Sequence, residues 1–290
     1  MVRYSVMVIV ILIVLGLCFG SFVNALVWRL HEQEQPKRKL KKTKNSSVIA
    51  KSDLSIMIGR SMCPECHHTL HPGDLIPLLS WLELRGRCRY CHKPISKQYP
   101  AVEILTAGLF LASYLYWPYS FNAMGTFNFA VWCVILVGFM ALLVYDLRWL
   151  LLPNRITYPL IVLSAVTAAV NITIFHGGIN GLKDTAISLL ISAGIFWALF
   201  QVSKGKWIGG GDVKFGIIAG FITALPLQSF LVLFFASLIG TIVIIPGLVS
   251  RKVTAKSHIP FGPFLIIATI IVKLFGASIV AWYRRKFLLY

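Results

Sequence analysis

Gly209-Gly210-Gly211-Asp212-Val213-Lys214 stands where a polar connection enters an apolar run, and how it is read decides what kind of fold the chain builds. Three adjacent glycines clear side-chain bulk away and widen the choice of backbone angles, so that a second backbone can approach closely. A carboxylate beside a hydrocarbon-lined segment is costly unless paired or protonated, which marks Asp212 as a functional candidate. The same residues also suit a flexible loop whose aspartate caps the next helix. The surrounding sequence has to separate the two readings.

Of the 290 residues, 57% are hydrophobic and only 13% charged, and the mean hydropathy is +0.77. A soluble domain carries about a quarter charged residues, whereas several runs here reach the roughly 20 apolar residues that span a bilayer. The expectation is an all-α, multi-pass membrane protein with about eight transmembrane helices. The first covers residues 4–27, a retained anchor longer than the apolar part of a signal peptide. Seven more cover 102–116, 127–145, 156–175, 185–202, 213–225, 230–249 and 261–282. Gly16 and Gly20, four apart, offer a smooth face to a neighbouring helix.

The net charge of +18 does not point to nucleic acid, because of where the charge sits. Fourteen of the 28 Lys and Arg lie between Arg29 and Lys97, and most others sit in short connections. That is the pattern that orients membrane helices and attracts anionic lipid. It places residues 29–100 in the cytoplasm, with the basic run 37–44 read as an arm lying on lipid. By alternation, the connections near Asp146, Asp212 and Arg251 are also cytoplasmic. Arg284-Arg285-Lys286 fall on the opposite side, against that rule. The chain divides by this reading into a first helix (1–28), a cytoplasmic segment (29–100) and a seven-helix domain (101–290).

Within the cytoplasmic segment, Cys63-Pro-Glu-Cys66 and Cys88-Arg-Tyr-Cys91 form two Cys-x-x-Cys knuckles. Each supplies two thiolates from a tight turn, a strong signature for tetrahedral zinc. A reducing compartment disfavours disulfides. His67, His68, His71 and His92 leave a mixed ligand set open. Four thiolates close the coordination sphere, so such a zinc is structural. Residues 77–86 between the knuckles read as a short amphipathic element on the membrane surface.

Only four acidic residues follow residue 100: Glu103, Asp146, Asp184 and Asp212. Asp146 is expected at the end of the third helix and Asp212 at the start of the sixth, on the same side of the membrane. Arg148 and Lys214, two residues away, point elsewhere on a helix. Two carboxylates at one depth can hold one proton between them, the arrangement of aspartic-protease chemistry. Glu103 is read as complementing the dipole at its helix start, and Asp184 as belonging to a helix start on the other side.

These residues resemble the bacterial type IV prepilin peptidases, membrane aspartic peptidases with a Gly-x-Gly-Asp motif. The likeness runs nearly end to end. It includes Gly20-Ser-Phe-Val-Asn24 with Arg29, both knuckles, 76–81 with Arg85-Gly86-Arg87-Cys88, and Gln98-Tyr-Pro-Ala-Val-Glu103. It continues through Asp146, Leu152-Pro153, Thr157, Gly209–Asp212 with Lys214, and Ile259-Pro-Phe-Gly-Pro263. The resemblance implies removal of the basic leader from prepilins or pseudopilins at the cytoplasmic face of the bacterial inner membrane, with Asp146 and Asp212 as the catalytic pair. Gly209, Gly211 and Lys214 support the motif. It further implies N-methylation of the new N-terminus from S-adenosylmethionine, although no glycine-rich nucleotide loop locates the donor. Asn154 stands where the family often has aspartate, and the basic insertion at 37–51 is longer than usual. Two other readings use the same acids. One is a proton-coupled transporter with a zinc-binding regulatory segment; the other is a presenilin-type protease, whose Pro-Ala-Leu element this chain lacks.

Overall fold

The computed structural model describes residues 5–34, 54–56, 59–174, 178–250 and 259–287. The basic run 37–44, the whole of the 37–51 insertion and Arg251-Lys252 lie outside them. The described residues are helical, with two isolated bridges, Met62 to Thr69 and Arg87 to Pro94, and no strands. Ten α-helices follow in order: α1 (Val6–Glu34), α2 (Leu79–Glu83), α3 (Gln98–Leu115), α4 (Ala123–Trp149), α5 (Asn154–Ile174), α6 (Gly178–Leu189), α7 (Ile195–Ser203), α8 (Gly210–Thr223), α9 (Pro226–Val249) and α10 (Gly262–Phe287). A π-turn, Leu190–Gly194, joins α6 to α7 into one run.

Every expected spanning segment is helical, but the lengths differ. Six of the described helices are long and apolar enough to cross a membrane: α1, α4, α5, the α6–α7 run, α9 and α10. Of the other two, α3 has 18 residues and opens on Gln98-Tyr99-Pro100, and α8 has 14. At 1.5 Å per residue α8 is only about 21 Å long, short of the roughly 30 Å hydrocarbon core. The chain is a multi-pass membrane protein.

Two compact units form, Met1–Leu115 and Tyr116–Tyr290. In the first, α3 lies along α1, and the two glycines of α1 set the contact. A Cβ at Gly20 would stand 2.5 Å from Cα of Glu103, and one at Gly16 would collide with the backbone of Ala107. The expected smooth face is therefore in use. Polar ties flank it. Arg29, 6% exposed, donates to the carbonyls of Ser55, Ile56 and Gly59 at 3.2, 3.3 and 2.8 Å, while Asn24 Nδ2 donates to the Tyr99 carbonyl at 3.1 Å.

In the second unit, α8 is sunk among its neighbours. Gly216 and Gly220 face the π-turn, where a Cβ at Gly216 would stand 2.5 Å from the Ser192 carbonyl. Phe215 and Ile218 are fully buried. Ser192 itself donates to the Ser188 carbonyl at 2.8 Å, so its hydroxyl is satisfied inside the run. Two expectations need correction. Asp184 is the seventh residue of α6, not at its start, because the helix begins at Gly178. Glu103 lies six residues into α3 rather than in its first turn, since the helix opens at Gln98.

Gly20→Leu is expected to lower the stability of the full-length protein by about 1–3 kcal/mol through overpacking. Gly108→Ala, inside α3 where a Cβ meets nothing within 4 Å, should instead raise it by about 0.5–1 kcal/mol, the helix-interior difference between glycine and alanine. Thermal unfolding in detergent checks both.

Candidate functional site: a carboxylate pair and a four-cysteine cluster

Asp146 lies in the last turn of α4 and is 5% exposed. The helix ends there because Leu150 turns left-handed, φ 56°, its N–H closing on the Asp146 carbonyl at 2.9 Å. The chain then runs through Leu152 and Pro153 into α5. The Pro153 carbonyl accepts N–H bonds from Ile156 and Thr157 and the Thr157 hydroxyl, each at 3.0 Å. That turn holds Leu152 between two glycines from distant parts of the chain. A Cβ at Gly211 would stand 3.1 Å from Leu152 Cβ, and one at Gly262 would stand 3.5 Å from Leu152 Cδ2.

Gly262 opens α10, with Pro263 next, a residue suited to a helix start because its missing N–H is not needed there. The Gly262 N–H donates to the Asp146 carboxylate. A side chain at 262 would run into Asp146 Oδ2. Asp212, the third residue of α8, accepts the N–H of Gly209 in the same way. Each carboxylate thus takes a free N–H at a helix N-terminus, where the helix dipole favours negative charge. Asp146 also acts electrostatically on Asp212. The two acids meet at one end of the helical unit. The capping reading needs correction: the N-cap of α8 is Gly209, and Asp212 lies inside the first turn, accepting the N–H of that cap residue.

No salt bridge neutralises either acid among the described residues. Lys214 turns away: its ammonium donates to Asn154 Oδ1 at 2.7 Å and sits 5.2 Å from the Tyr158 ring centre. Arg148 lies over the ring of Trp149. Gly209 and Gly210 are exposed beside the pair, leaving the approach open that the glycine run promised. Gly262 and Leu152 were quoted in the sequence motifs without a role. What signal existed was the Pro-Phe-Gly-Pro stretch at a helix start, which says nothing of its partner.

In the other unit, the Sγ atoms of Cys63, Cys66, Cys88 and Cys91 all lie within 4.8 Å of one another. None is in a disulfide. Cys63 and Cys91 are 3.9 Å apart, close to the ~3.8 Å that separates thiolates on a tetrahedral zinc with 2.3 Å bonds. The set therefore fits a metal. Burial pushes the Cys63 thiol up to about 12. Burial also opposes ionisation of Cys88, but N–H groups of Cys91 and Tyr90 outweigh it and bring the thiol down to about 7. The histidines lie outside this cluster. His68 stacks on Tyr90, and His71 Nδ1 accepts the Gly73 N–H. Residues 77–86 include the short α2, with Leu79 and Leu82 exposed. Gly86, φ 68°, lies under the Trp81 ring. Glu103 accepts the Leu78 N–H at 2.7 Å and a bond from Ser21, tying α2 and α1 to α3.

A helical multi-pass membrane unit with two carboxylates at one end is the architecture of a membrane aspartic peptidase. Residues 14–117 match the bacterial peptidase A24 N-terminal domain, and residues 133–245 match the type IV leader peptidase family. The prepilin leader peptidase/N-methyltransferase of Aeromonas hydrophila is 33% identical over 282 residues, covering 94% of this chain and 92% of that protein. Its namesake from Pseudomonas aeruginosa is 30% identical over 277 residues, with the same coverage. That of Bacillus subtilis is 31% identical over 232 residues, covering 80% and 88%. No solved structure matches the chain. With both halves of the sequence accounted for at these coverages, the chain belongs to the type IV leader peptidase family, and it is an enzyme. The transporter reading falls away.

Asp74 gives the cysteine segment a measurable pH response. Burial opposes its ionisation, but Arg89 Nε at 2.7 Å, the His71 N–H at 3.3 Å and the Tyr90 hydroxyl at 3.3 Å together hold it below its ordinary 3.8. A depressed folded-state value stabilises above the unfolded value and is lost as pH falls through the folded one. Hydrogen exchange over residues 62–95 should therefore show less protection in Asp74→Asn at neutral pH. The difference from wild type should vanish well below 3.8.

Proposed function

We propose that this enzyme cleaves the basic leader from type IV prepilins or pseudopilins at the cytoplasmic face of the bacterial inner membrane, using Asp146 and Asp212, and then methylates the new N-terminal amine. The observation that carries the reading is the meeting of two acids, one ending α4 and one opening α8, in a unit whose helices are otherwise apolar.

The pair holds one proton. The ionised carboxylate takes a proton from a water molecule as its oxygen attacks the scissile carbonyl carbon, while the protonated carboxyl donates to the carbonyl oxygen. The resulting diol then collapses: one of its hydroxyls gives its proton to the ionised carboxylate as the C=O bond re-forms, the C–N bond breaks, and the protonated carboxyl gives its proton to the leaving amine. The pair then holds one proton again. The N–H groups of Gly262 and Gly209 orient the two carboxylates, and the exposed Gly209 and Gly210 leave room for an extended substrate backbone beside Asp212. Leu152 fills the space between Gly211 and Gly262 and keeps the acids from separating. Lys214, held by Asn154, fixes the start of α8 against that of α5.

A functional division into 1–28, 29–100 and 101–290 accompanies this reading, with the cleavage chemistry in the last segment. The four cysteines hold a structural zinc. They surround the metal with thiolates and leave no site for substrate, so its part is to staple a segment with few buried apolar residues. S-adenosylmethionine, when bound, supplies the methyl group. Lipid contacts fall to the exposed apolar helix faces and the basic arm.

Asp146→Asn and Asp212→Asn are each expected to abolish prepilin cleavage, read by product mass, while the proteins still insert in membranes. Gly262→Ala should cut the cleavage rate at least about 100-fold, the scale of losing a positioned catalytic group. Either asparagine variant cutting at the wild-type rate would overturn the assignment.

Metal analysis of the purified protein should find zinc equimolar with the chain. Cys63→Ser or exhaustive chelation should remove it and expose residues 59–97 to protease, with the seven-helix segment left intact.

A further inference from the structure

Far from the acids, the Tyr116–Tyr290 unit contains a small polar cleft that the cleavage chemistry does not use. Residues near the end of the short α8, Phe221 and Ile222, form one wall, and α4, α5 and α10 form the others. Asn128 stands 18 positions before Asp146 on α4, about 27 Å along the helix. On α5, Asn171 stands 17 positions after Asn154, about 26 Å along. The hydrocarbon core is roughly 30 Å thick. These two residues therefore mark the membrane boundary opposite the acids.

Lys273 is the only charged residue lining the cleft. It leaves α10 well inside the helix, 11 positions after Gly262, and an ionisable group at such depth marks a site that needs a partner. Its stem carries the ammonium towards the aromatic residues that follow α3, as long basic side chains do in a bilayer. The ammonium lies 5.1 Å from the Tyr119 ring centre and 5.9 Å from that of Trp117. Those rings favour a cation without neutralising it, and no salt bridge reaches it among the described residues. Trp117, 9% exposed and not itself a wall of the cleft, adds a buried indole N–H with no acceptor among the described residues. An ammonium and an N–H so close together ask for an anionic oxygen.

The opposite need is met with on α4. Asn128 Nδ2 donates to Asn171 Oδ1 at 2.9 Å, but the buried Asn128 Oδ1 has no donor among the described residues. Ser164 and Thr167 already donate to the carbonyls of Ile161 and Leu163, at 3.0 and 2.7 Å. Their oxygens add acceptors to the cleft and no further donor. The cavity holds about 40 Å³, room for about three waters or for the few atoms at the tip of a headgroup.

We propose that this is a headgroup site for a phospholipid with a primary amine, such as phosphatidylethanolamine. The phosphodiester lies at Lys273 and the Trp117 N–H. The ammonium enters the cleft and donates to Asn128 Oδ1, with the phosphate between the two positive charges. The acyl chains stay in the surrounding bilayer. A choline headgroup offers the same phosphate but no N–H, so the site discriminates between the two.

Native mass spectrometry of the delipidated full-length protein tests this, by titration with phosphatidylethanolamine, with phosphatidylcholine of the same chains, and with inorganic phosphate as competitor. Wild type is expected to bind the ethanolamine lipid about tenfold more tightly, the scale of one hydrogen bond from a charged donor. Lys273→Met should weaken both lipids about tenfold, and Lys273→Arg should restore both. Asn128→Leu should bring the ethanolamine lipid down to the level of the choline lipid and leave the latter within about twofold. Equal affinities of wild type for the two lipids would leave only waters in the cleft and overturn the proposal. Undiminished binding by Lys273→Met would do the same. Displacement of the lipid by an equal concentration of inorganic phosphate would show a free-anion site instead. The comparison of the two lipids on wild type requires no variant, so it decides the matter even where a substitution prevents folding.

Discussion

The N–H of Gly262, donated to the carboxylate of Asp146, ties the start of α10 to the end of α4. Much of the arrangement in that unit follows from it. A buried carboxylate needs donors, and a helix N-terminus has N–H groups without partners. Placing one against the other satisfies both. Asp212 and Gly209 repeat the solution at the start of α8. A residue with a Cβ cannot stand at 262, because it would occupy the carboxylate oxygen's place. Leu152 then fills what remains, touching both glycine positions from a loop fixed by Thr157 and Pro153. The acids are set by three helix ends and one turn, which gives them a rigid frame.

The Met1–Leu115 unit is held by different means. Its helices meet through bare backbone at Gly16 and Gly20, and buried polar side chains tie the irregular segments to them. Arg29 accounts for three carbonyls, Glu103 for an N–H and a hydroxyl, and Asn24 for one carbonyl. Long side chains that reach out of a helix to irregular backbone do what secondary structure cannot do there. The four cysteines cluster in the remaining part of the segment, their sulfur atoms all within 4.8 Å of one another.

Much of this was legible in the sequence because it rested on local chemistry. Rare acids in apolar runs announced Asp146 and Asp212, alternation of helices put them at one end, and the spacing of the cysteines gave their cluster. The glycines of α1 read correctly as a packing face. Other features depended on partners that residue type does not name. Nothing in Gly262 says that it faces a carboxylate more than a hundred positions earlier. Glu103 looked like a dipole complement because its helix start was placed too late; its true partners, Leu78 and Ser21, are set by how α2 and α1 fold against α3. The π-turn at Leu190–Gly194 has no local signature, since it answers to Gly216 and Gly220 on a different helix. Lys214 read correctly as not pairing with Asp212, but its hold on Asn154 needed the turn between α4 and α5.

Proximity of the two acids is the claim on which the account stands, and it can be measured without any substrate. In an Asp146→Cys, Asp212→Cys double variant, a short bifunctional thiol reagent should join the two positions, and mass spectrometry of the digest should recover the linked 146 and 212 peptides in high yield. Peptides carrying only singly attached reagent, under conditions that link the clustered cysteines of the other unit, would show that the acids do not share a site.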